Sequence, residues 1–329
     1  MPDRLPTVSV MFLTMGRPQL IERALSAVLE DLATTEAIVV VDGDDAETTE
    51  LLGRMAQEDP RVKTTRMPPP GPDGLDNMQR GRDHGASLAS SEVVIALDDD
   101  VVARPGLVSG HARRHAADDG ALVVVGYMPV VTPARWPRSY APIRFYSGSY
   151  EEHCDEYRAD PEHILKHLWG GNLSLRRSRW LDAIAHGRVS CYHEDKEFGL
   201  LLSRQGFRAV FDSSLRGDHW YERTLRGFVV RAQRSVRAQA ELRAAYADVI
   251  EDPPWEDLPQ RRSAALLLRL ARSSAGWFLV RWGLIALISA AATLGLSRVE
   301  DRGAQALWRV ASERAARGRL SPPLAEALR

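Results

Sequence analysis

The chain has 329 residues, 44% of them hydrophobic and 26% charged, with a formal net charge of −1. That length can bury a full core in one large domain or two smaller ones, and the near-neutral balance excludes bulk electrostatic attraction to nucleic acid. Two cysteines, Cys154 and Cys191, form no metal-spacing pattern and no disulfide framework. They fit a reducing compartment and leave one optional pairing open. The first dozen residues, MPDRLPTVSVMF, lack the long apolar core of a signal peptide, so a cytoplasmic location is expected.

In chain order, Thr7–Leu13 is a β-branched, apolar run that predicts a strand, ending in TMGRP. Gly16 permits a tight turn there and Pro18 suits the first turn of a helix. Leu20, Ala24, Ala27 and Val28 follow at helical spacing. Ala37–Val41 predicts a second buried strand, ending in Asp42-Gly43-Asp44-Asp45, and a helix is expected over Ala46–Gln57. Val62–Thr65 reads as a short strand before a proline- and glycine-rich loop at 68–74. Asp76–Ser91 reads as a helix leading into Val93–Leu97, a continuous apolar strand. A helix over Pro105–His115 and a strand over Leu122–Gly126 complete a strand–helix alternation that implies a doubly wound, mostly parallel α/β sheet.

Residues 127–168 break the rhythm, being rich in Pro, Tyr, Trp and charge without sustained periodicity, the composition of a lid or specificity region. Trp136, Tyr140, Phe145 and Tyr146 in it offer either flat faces for a ligand or ordinary packing. Patterning returns with a strand at Asn172–Leu175, helices at Ser178–Ala185 and Glu194–Gln205, a strand at Phe207–Phe211 and a long helix at Leu225–Tyr246.

The chemistry concentrates at the carboxyl end of Val93–Leu97, which delivers Asp98, Asp99 and Asp100 to the edge where open α/β sheets bind ligands. Three like charges there repel, so a compensating cation is expected. Oxygen ligands suit a hard ion such as Mg²⁺ or Mn²⁺. On an extended backbone Asp98 and Asp100 would point the same way and share the ion or its waters.

These pieces together resemble family 2 glycosyltransferases of the GT-A fold over roughly residues 7–230. VSVMFLTMGRP is similar to the family's opening SVIIPTxNR, VVVDGDDAETTELL to its second strand and acidic turn, and GRDHGASLASSEVVIALDDDV to its ARNxG…LDDD segment. WGGNLSLRR and YHEDKEFGLLLSRQGFRAVFD resemble its acceptor-side GxN segment and ED motif. The resemblance implies a metal-dependent enzyme that moves a sugar from a nucleotide-sugar donor, most simply UDP-linked, to a hydroxyl acceptor with inversion. It places Thr14, Arg17, Asp42, Asp44, Arg82, Asp98 and Asp99 at the nucleotide sugar. Asp42 and Asp44 are alternatives for the base, because the turn reads DGDD rather than DDGS. Asp83 stands where the family has asparagine. Asp100 would be the direct metal ligand, with Asp98 on the ribose or a metal-bound water and His219 completing the site. Asp195 would be the general base, and Trp169, Gly170, Gly171, Asn172 and Glu194 would line the sugar and acceptor pocket. Competing readings are a nucleotidyltransferase on a related sheet, for which TMGRP is a poor phosphate loop, and an inactive nucleotide-sugar-binding protein.

The expected organisation is a catalytic domain over 1–250, with its nucleotide-sugar part at about 7–126 and its acceptor part at about 127–223. A proline-rich, acidic linker follows at 251–260, and then a helical, partly hydrophobic region at 261–329. Ala275–Leu296 is the most apolar window, but its uncharged part, Trp282–Leu296, is 15 residues, short of the roughly 20 that span a bilayer. Arginines flank it on both sides, against the positive-inside tendency for a single span. Three placements stay open: a buried or dimer-forming helix, a helix on the inner membrane surface, and a spanning helix. The second would suit a lipid-linked acceptor.

Overall fold

The computed structural model describes residues 4–67, 77–118, 120–132, 139–189, 192–250 and 262–318. The loop at 68–74, Trp136, Cys191 and the linker at 251–260 lie outside the described residues.

The expected alternation is present. In order come β1 (Val8–Thr14), α1 (Pro18–Leu29), β2 (Thr34–Val41), α2 (Ala46–Glu58), β3 (Val62–Arg66), α3 (Asn77–Leu88) and β4 (Val93–Leu97). Next are β5 (Val101–Ala103), α4 (Leu107–Ala116), β6 (Leu122–Tyr127), α5 (Ala141–Ala159), α6 (His163–Lys166), β7 (Asn172–Arg176) and α7 (Arg177–Ile184). The chain then forms α8 (Glu194–Arg204), β8 (Arg208–His219), α9 (Leu225–Ala245), α10 (Arg262–Leu270), α11 (Ser274–Thr293) and α12 (Ser297–Ala316). The strands make one eight-stranded sheet in the order β3-β2-β1-β4-β7-β6-β8-β5. The pairings among β3, β2, β1 and β4, and that of β6 with β8, are parallel; β7 runs antiparallel to both β4 and β6, as does β5 to β8. The continuous apolar runs of β1, β2 and β4 are buried almost throughout, as strands covered on both faces must be.

Two expectations change. Residues 127–168 contain the 19-residue helix α5. Its buried positions Ile143, Tyr150, Cys154 and Tyr157 recur at helical spacing, but after Ile143 they are aromatic and thiol side chains rather than an aliphatic stripe, which hid the period. The last strand is also much longer than Phe207–Phe211. β8 runs 12 residues through polar sequence, shifts register beside Gly126 and Tyr127, and pairs with β5 so that His219 sits opposite Val101. No local pattern encodes that pairing, because it depends on the edge that β5 and β6 offer.

By packing, the chain divides into two compact units, residues 1–131 with 151–220 and residues 132–150 with 221–329. The first holds the whole sheet. In the second, Phe228, Val229 and Ala232 of α9 share a core with Leu284 and Ile288 of α11 and with Leu307, Val310 and Ala311 of α12. Phe145 belongs to this core too, its ring 5.2 Å from Phe228 and 4.9 Å from Trp308, so packing is its role. Tyr146 stacks on Tyr221 at 3.9 Å. Because α9 precedes the linker and α10–α12 follow it, deleting 261–329 uncovers the apolar face of α9. Each large side chain so exposed forfeits roughly 1.5–3 kcal/mol of burial. The truncated chain is therefore expected to aggregate in gel filtration where the full chain runs as a discrete species; a monodisperse truncation would show that α9 needs no cover.

Candidate active site

Asp98–Asp100 do not continue β4 as extended chain. They form a turn closed by the Val101 amide donating to the Asp98 carbonyl at 3.0 Å. The turn sends the carboxylates to different partners, so Asp98 and Asp100 do not lie side by side on an extended backbone as expected. Arg82 on α3 donates to Asp98 at 2.7 Å. Arg17, at the residue before Pro18, bridges Asp99 and Asp100, the latter at 2.6 Å. The reach is short because β1 and β4 are neighbours in the sheet. Two guanidinium groups thus supply part of the positive charge that the acidic triplet demanded. Burial pushes the Asp99 carboxyl well above its ordinary range, with Arg17 opposing. Burial acts on Asp100 in the same sense, but His219 and Arg17 outweigh it and hold that carboxyl below the ordinary range.

The β5–β8 pairing brings His219 to Asp100, with Nε2 3.2 Å from Oδ1, and the Trp220 amide donates to the Asp100 carbonyl at 2.8 Å. Among the described residues no group of three or more His, Cys, Asp or Glu side chains is arranged to hold a metal. The Asp100–His219 pair nevertheless fits the mode in which Mg²⁺-like ions take one or two protein ligands and fill the rest from water and phosphate. At 3.2 Å the two side chains are within hydrogen-bonding distance of each other, and they are the residues that would hold such an ion.

Opposite this turn lies the Trp169-Gly170-Gly171-Asn172 segment. The Asp98 amide donates to the Gly171 carbonyl at 3.0 Å, carrying the β4–β7 ladder into the site. Only glycine fits at both positions. A Cβ on Gly170 would lie 2.6 Å from Arg82 Nη1 and 2.9 Å from Asp195 Cβ, and one on Gly171 would lie 2.6 Å from Asp98 Oδ2. Through that gap Arg82, with its side chain 12% exposed, reaches Glu194 at 3.2 Å as well as Asp98. Burial, then the like charge of Asp195, pushes the Glu194 carboxyl well above the carboxylate range, while Arg82 opposes. Asp195, less buried, accepts from the Gly170 amide at 3.2 Å and the Lys196 amide at 2.8 Å. One arginine therefore ties the donor-side turn to the acidic start of α8.

The description Glycosyl transferase family 2 matches residues 9–178, just over half of the chain and all of the β1–β7 scaffold around this site. The chain belongs to the family 2 glycosyltransferases. Among solved structures it is similar to the mannosyltransferase PcManGT from Pyrobaculum calidifontis in complex with GDP-Man and Mn²⁺, at 16% identity and a TM-score of 0.57, covering 95% of this chain and 88% of that one. GalNAc-T7 with UDP, GalNAc and Mn²⁺ aligns at 15% identity and a TM-score of 0.48, over 72% of this chain and 52% of its own. At 16% identity the likeness to PcManGT speaks to the fold, which is of the GT-A type. No curated protein sequence matches the chain.

The other expected residues of this glycosyltransferase are placed as follows. Thr14 is buried beside Asp99. Asp42 accepts from the Asn77 side chain at 3.1 Å, and Asp44 projects into solvent toward Arg66 at 3.3 Å. Asp45, not singled out from the sequence, caps α2 through Thr48 and accepts from the Gly16 amide at 2.7 Å, joining the two turns. Trp169 is half-buried, its ring 5.4 Å from that of His153. Asn172 does not line an open pocket. It is fully buried, and its amide donates to the Leu215 carbonyl at 3.0 Å while its carbonyl faces His111 Nε2 at 3.0 Å. That fixes both tautomers. His111 Nε2 must donate, so its Nδ1 accepts from the Ser174 hydroxyl at 2.7 Å, and Ser174 accepts from His115 Nε2 at 2.8 Å.

Sequence reasoning missed Arg188 and Glu197. Arg188 grips Asp83 at 2.9 Å and Glu197 at 2.7 Å and donates to the Glu194 carbonyl at 3.2 Å, pinning the start of α8. The only available signal was Asp83 itself, an acid where the family carries an amide.

Burial holds His111 and His115 as neutral imidazoles, at about 3 and about 4 respectively. Below pH ~6.5 the unfolded chain binds protons that the folded chain refuses. The histidine contribution to stability is therefore complete above that pH and is lost as pH drops toward 4, opposite in sense to that of the raised Asp99 and Glu194 carboxyls. Each histidine costs about 1.4 kcal/mol one unit below its free pKa. Urea melts across that range should show the loss, and His115→Gln should flatten it; an unchanged slope would exclude these imidazoles as the source.

Proposed function

We propose that this glycosyltransferase moves a sugar from a nucleoside-diphosphate donor, with UDP-sugars the first to test, to a hydroxyl acceptor with inversion at the anomeric carbon. The observation that carries the proposal is the convergence at Gly170–Gly171. The donor-side turn Asp98–Asp100 and the candidate base Asp195 meet there across one arginine. Family membership disposes of the nucleotidyltransferase alternative.

Asp195 suits the base role because the Gly170 and Lys196 amides orient its carboxylate, while Arg82 makes its direct ion pairs with Asp98 and Glu194. It would accept the acceptor hydroxyl proton as that oxygen attacks the anomeric carbon from the side opposite the leaving diphosphate. Glu194, buried and held by Arg82, positions its neighbour rather than moving a proton. Asp98 would face the donor, with Arg17 available to the diphosphate; Asp99, expected at the nucleotide, is instead buried against Thr14 and Arg17 and orients the guanidinium. Asp100 and His219 would hold a divalent cation, Mn²⁺ or Mg²⁺. Such an ion, when bound, neutralises diphosphate oxygens and stabilises the charge that develops on the leaving group.

Three measurements test this reading. Calorimetric UDP binding is expected to weaken in EDTA and in Asp100→Ala; undiminished affinity in both would remove the cation from the site. Asp195→Asn, nearly isosteric, should keep UDP affinity and lose about 10²–10⁴-fold in transfer rate. Glu194→Gln should be milder in rate, and parental turnover by Asp195→Asn would exclude it as base. A donor panel scored for nucleoside diphosphate release separates an active enzyme from an inactive binder.

A further inference from the structure

Helix α11 is apolar on every side, yet it is packed on one side only. Trp277, Val280, Leu284, Ile288 and Ala291 are buried, in the core formed with α12, where Gly303 lets Ile288 approach closely. The opposite flank carries Phe278, Leu279 and Trp282, exposed by 57%, 69% and 47%; Leu287, beside the packed stripe, is 47% exposed, and Leu294 and Leu296 past the helix end are 71% and 49% exposed. Only 28% of the helix's most apolar stretch is buried. A core helix would be covered all round, and a contiguous exposed apolar face of this kind marks an interaction surface.

The charge around that face selects the partner. From 261 to 299 the sequence has six arginines and no acidic residue or lysine. Arg269 and Arg272 are exposed before the helix and Arg298 after it. Arg281, midway, lies over the rings of Trp277 and Trp282 at 5.8 and 5.1 Å. Two copies meeting through this face would set arginine against arginine, since a two-fold contact pairs the same patch with itself. An anionic headgroup layer instead neutralises the arginines while the apolar flank enters the acyl boundary. The packed flank decides the orientation. With Glu300 and Arg314 of α12 buried in the same unit, the helix pair cannot cross a bilayer without burying those charges in it.

We propose that the exposed flank of α11, framed by Arg269, Arg272 and Arg298, is an in-plane binding face for an anionic phospholipid surface. It goes beyond the glycosyl-transfer reading and does not depend on it.

The test is flotation of the full-length protein with vesicles of mixed phosphatidylglycerol and phosphatidylcholine, against phosphatidylcholine alone. The expected result is co-flotation with the anionic vesicles, weakened by high salt and reversed by alkaline carbonate. Leu279→Glu with Trp282→Glu should abolish it without shifting the thermal melt. Arg272→Glu with Arg298→Glu should reduce it by on the order of tenfold or more. No flotation, or equal binding to neutral vesicles, overturns the proposal. Resistance to carbonate would show a spanning helix instead. Conversion of a dimer to a monomer by the Leu279/Trp282 variant, with no loss of vesicle binding, would assign the face to a second copy. If that variant fails to fold, the salt series and the arginine variant still decide.

Discussion

One buried guanidinium holds the catalytic unit in register. Arg82 leaves α3 and reaches Asp98 after β4 and Glu194 at the start of α8, elements far apart in the chain. A charge that deep is tolerable only with its partners in place, and removing one partner of such a set costs about 3–5 kcal/mol. Asp195 follows Glu194 directly, so the position of the proposed base is inherited from this contact. The glycine pair is the steric counterpart, since any side chain at Gly170 would displace either Arg82 or Asp195. Arg188 repeats the device from behind, tying Asp83 of α3 to Glu197 of α8.

The acidic turn then looks less like a preformed metal cage than a charge balance awaiting its ligand. Asp98, Asp99, Asp100, Glu194 and Asp195 are set against Arg17 and Arg82. An incoming diphosphate adds further negative charge to a site already rich in it. That excess is the electrostatic reason for a divalent cation in the proposed reaction.

The second unit follows a different logic. Its core is made by α9, α11 and α12 with Phe145 of α5. Ordinary hydrophobic packing accounts for one flank of α11 and leaves the other, with its arginine frame, available to a surface of opposite charge.

What the sequence by itself determined was local. The period of the apolar residues set β1, β2, β4 and the helices between them, and the ordered motifs pointed to the family and to Asp98–Asp100, Gly170–Gly171 and Glu194–Asp195. Those features are legible because burial on a strand or helix leaves a repeating signature in adjacent residues. What only the tertiary structure decided was partnership. Nothing near Asp100 in the sequence says that it meets Arg17 and His219, that Asp98 belongs to Arg82, or that Asn172 faces His111 and the Leu215 carbonyl rather than a ligand. The helix α5 and the length of β8 were likewise invisible, because aromatic packing and edge pairing carry no short-range period. A side chain's charge is written in the chain, but the group that compensates it is chosen by which elements the fold brings together.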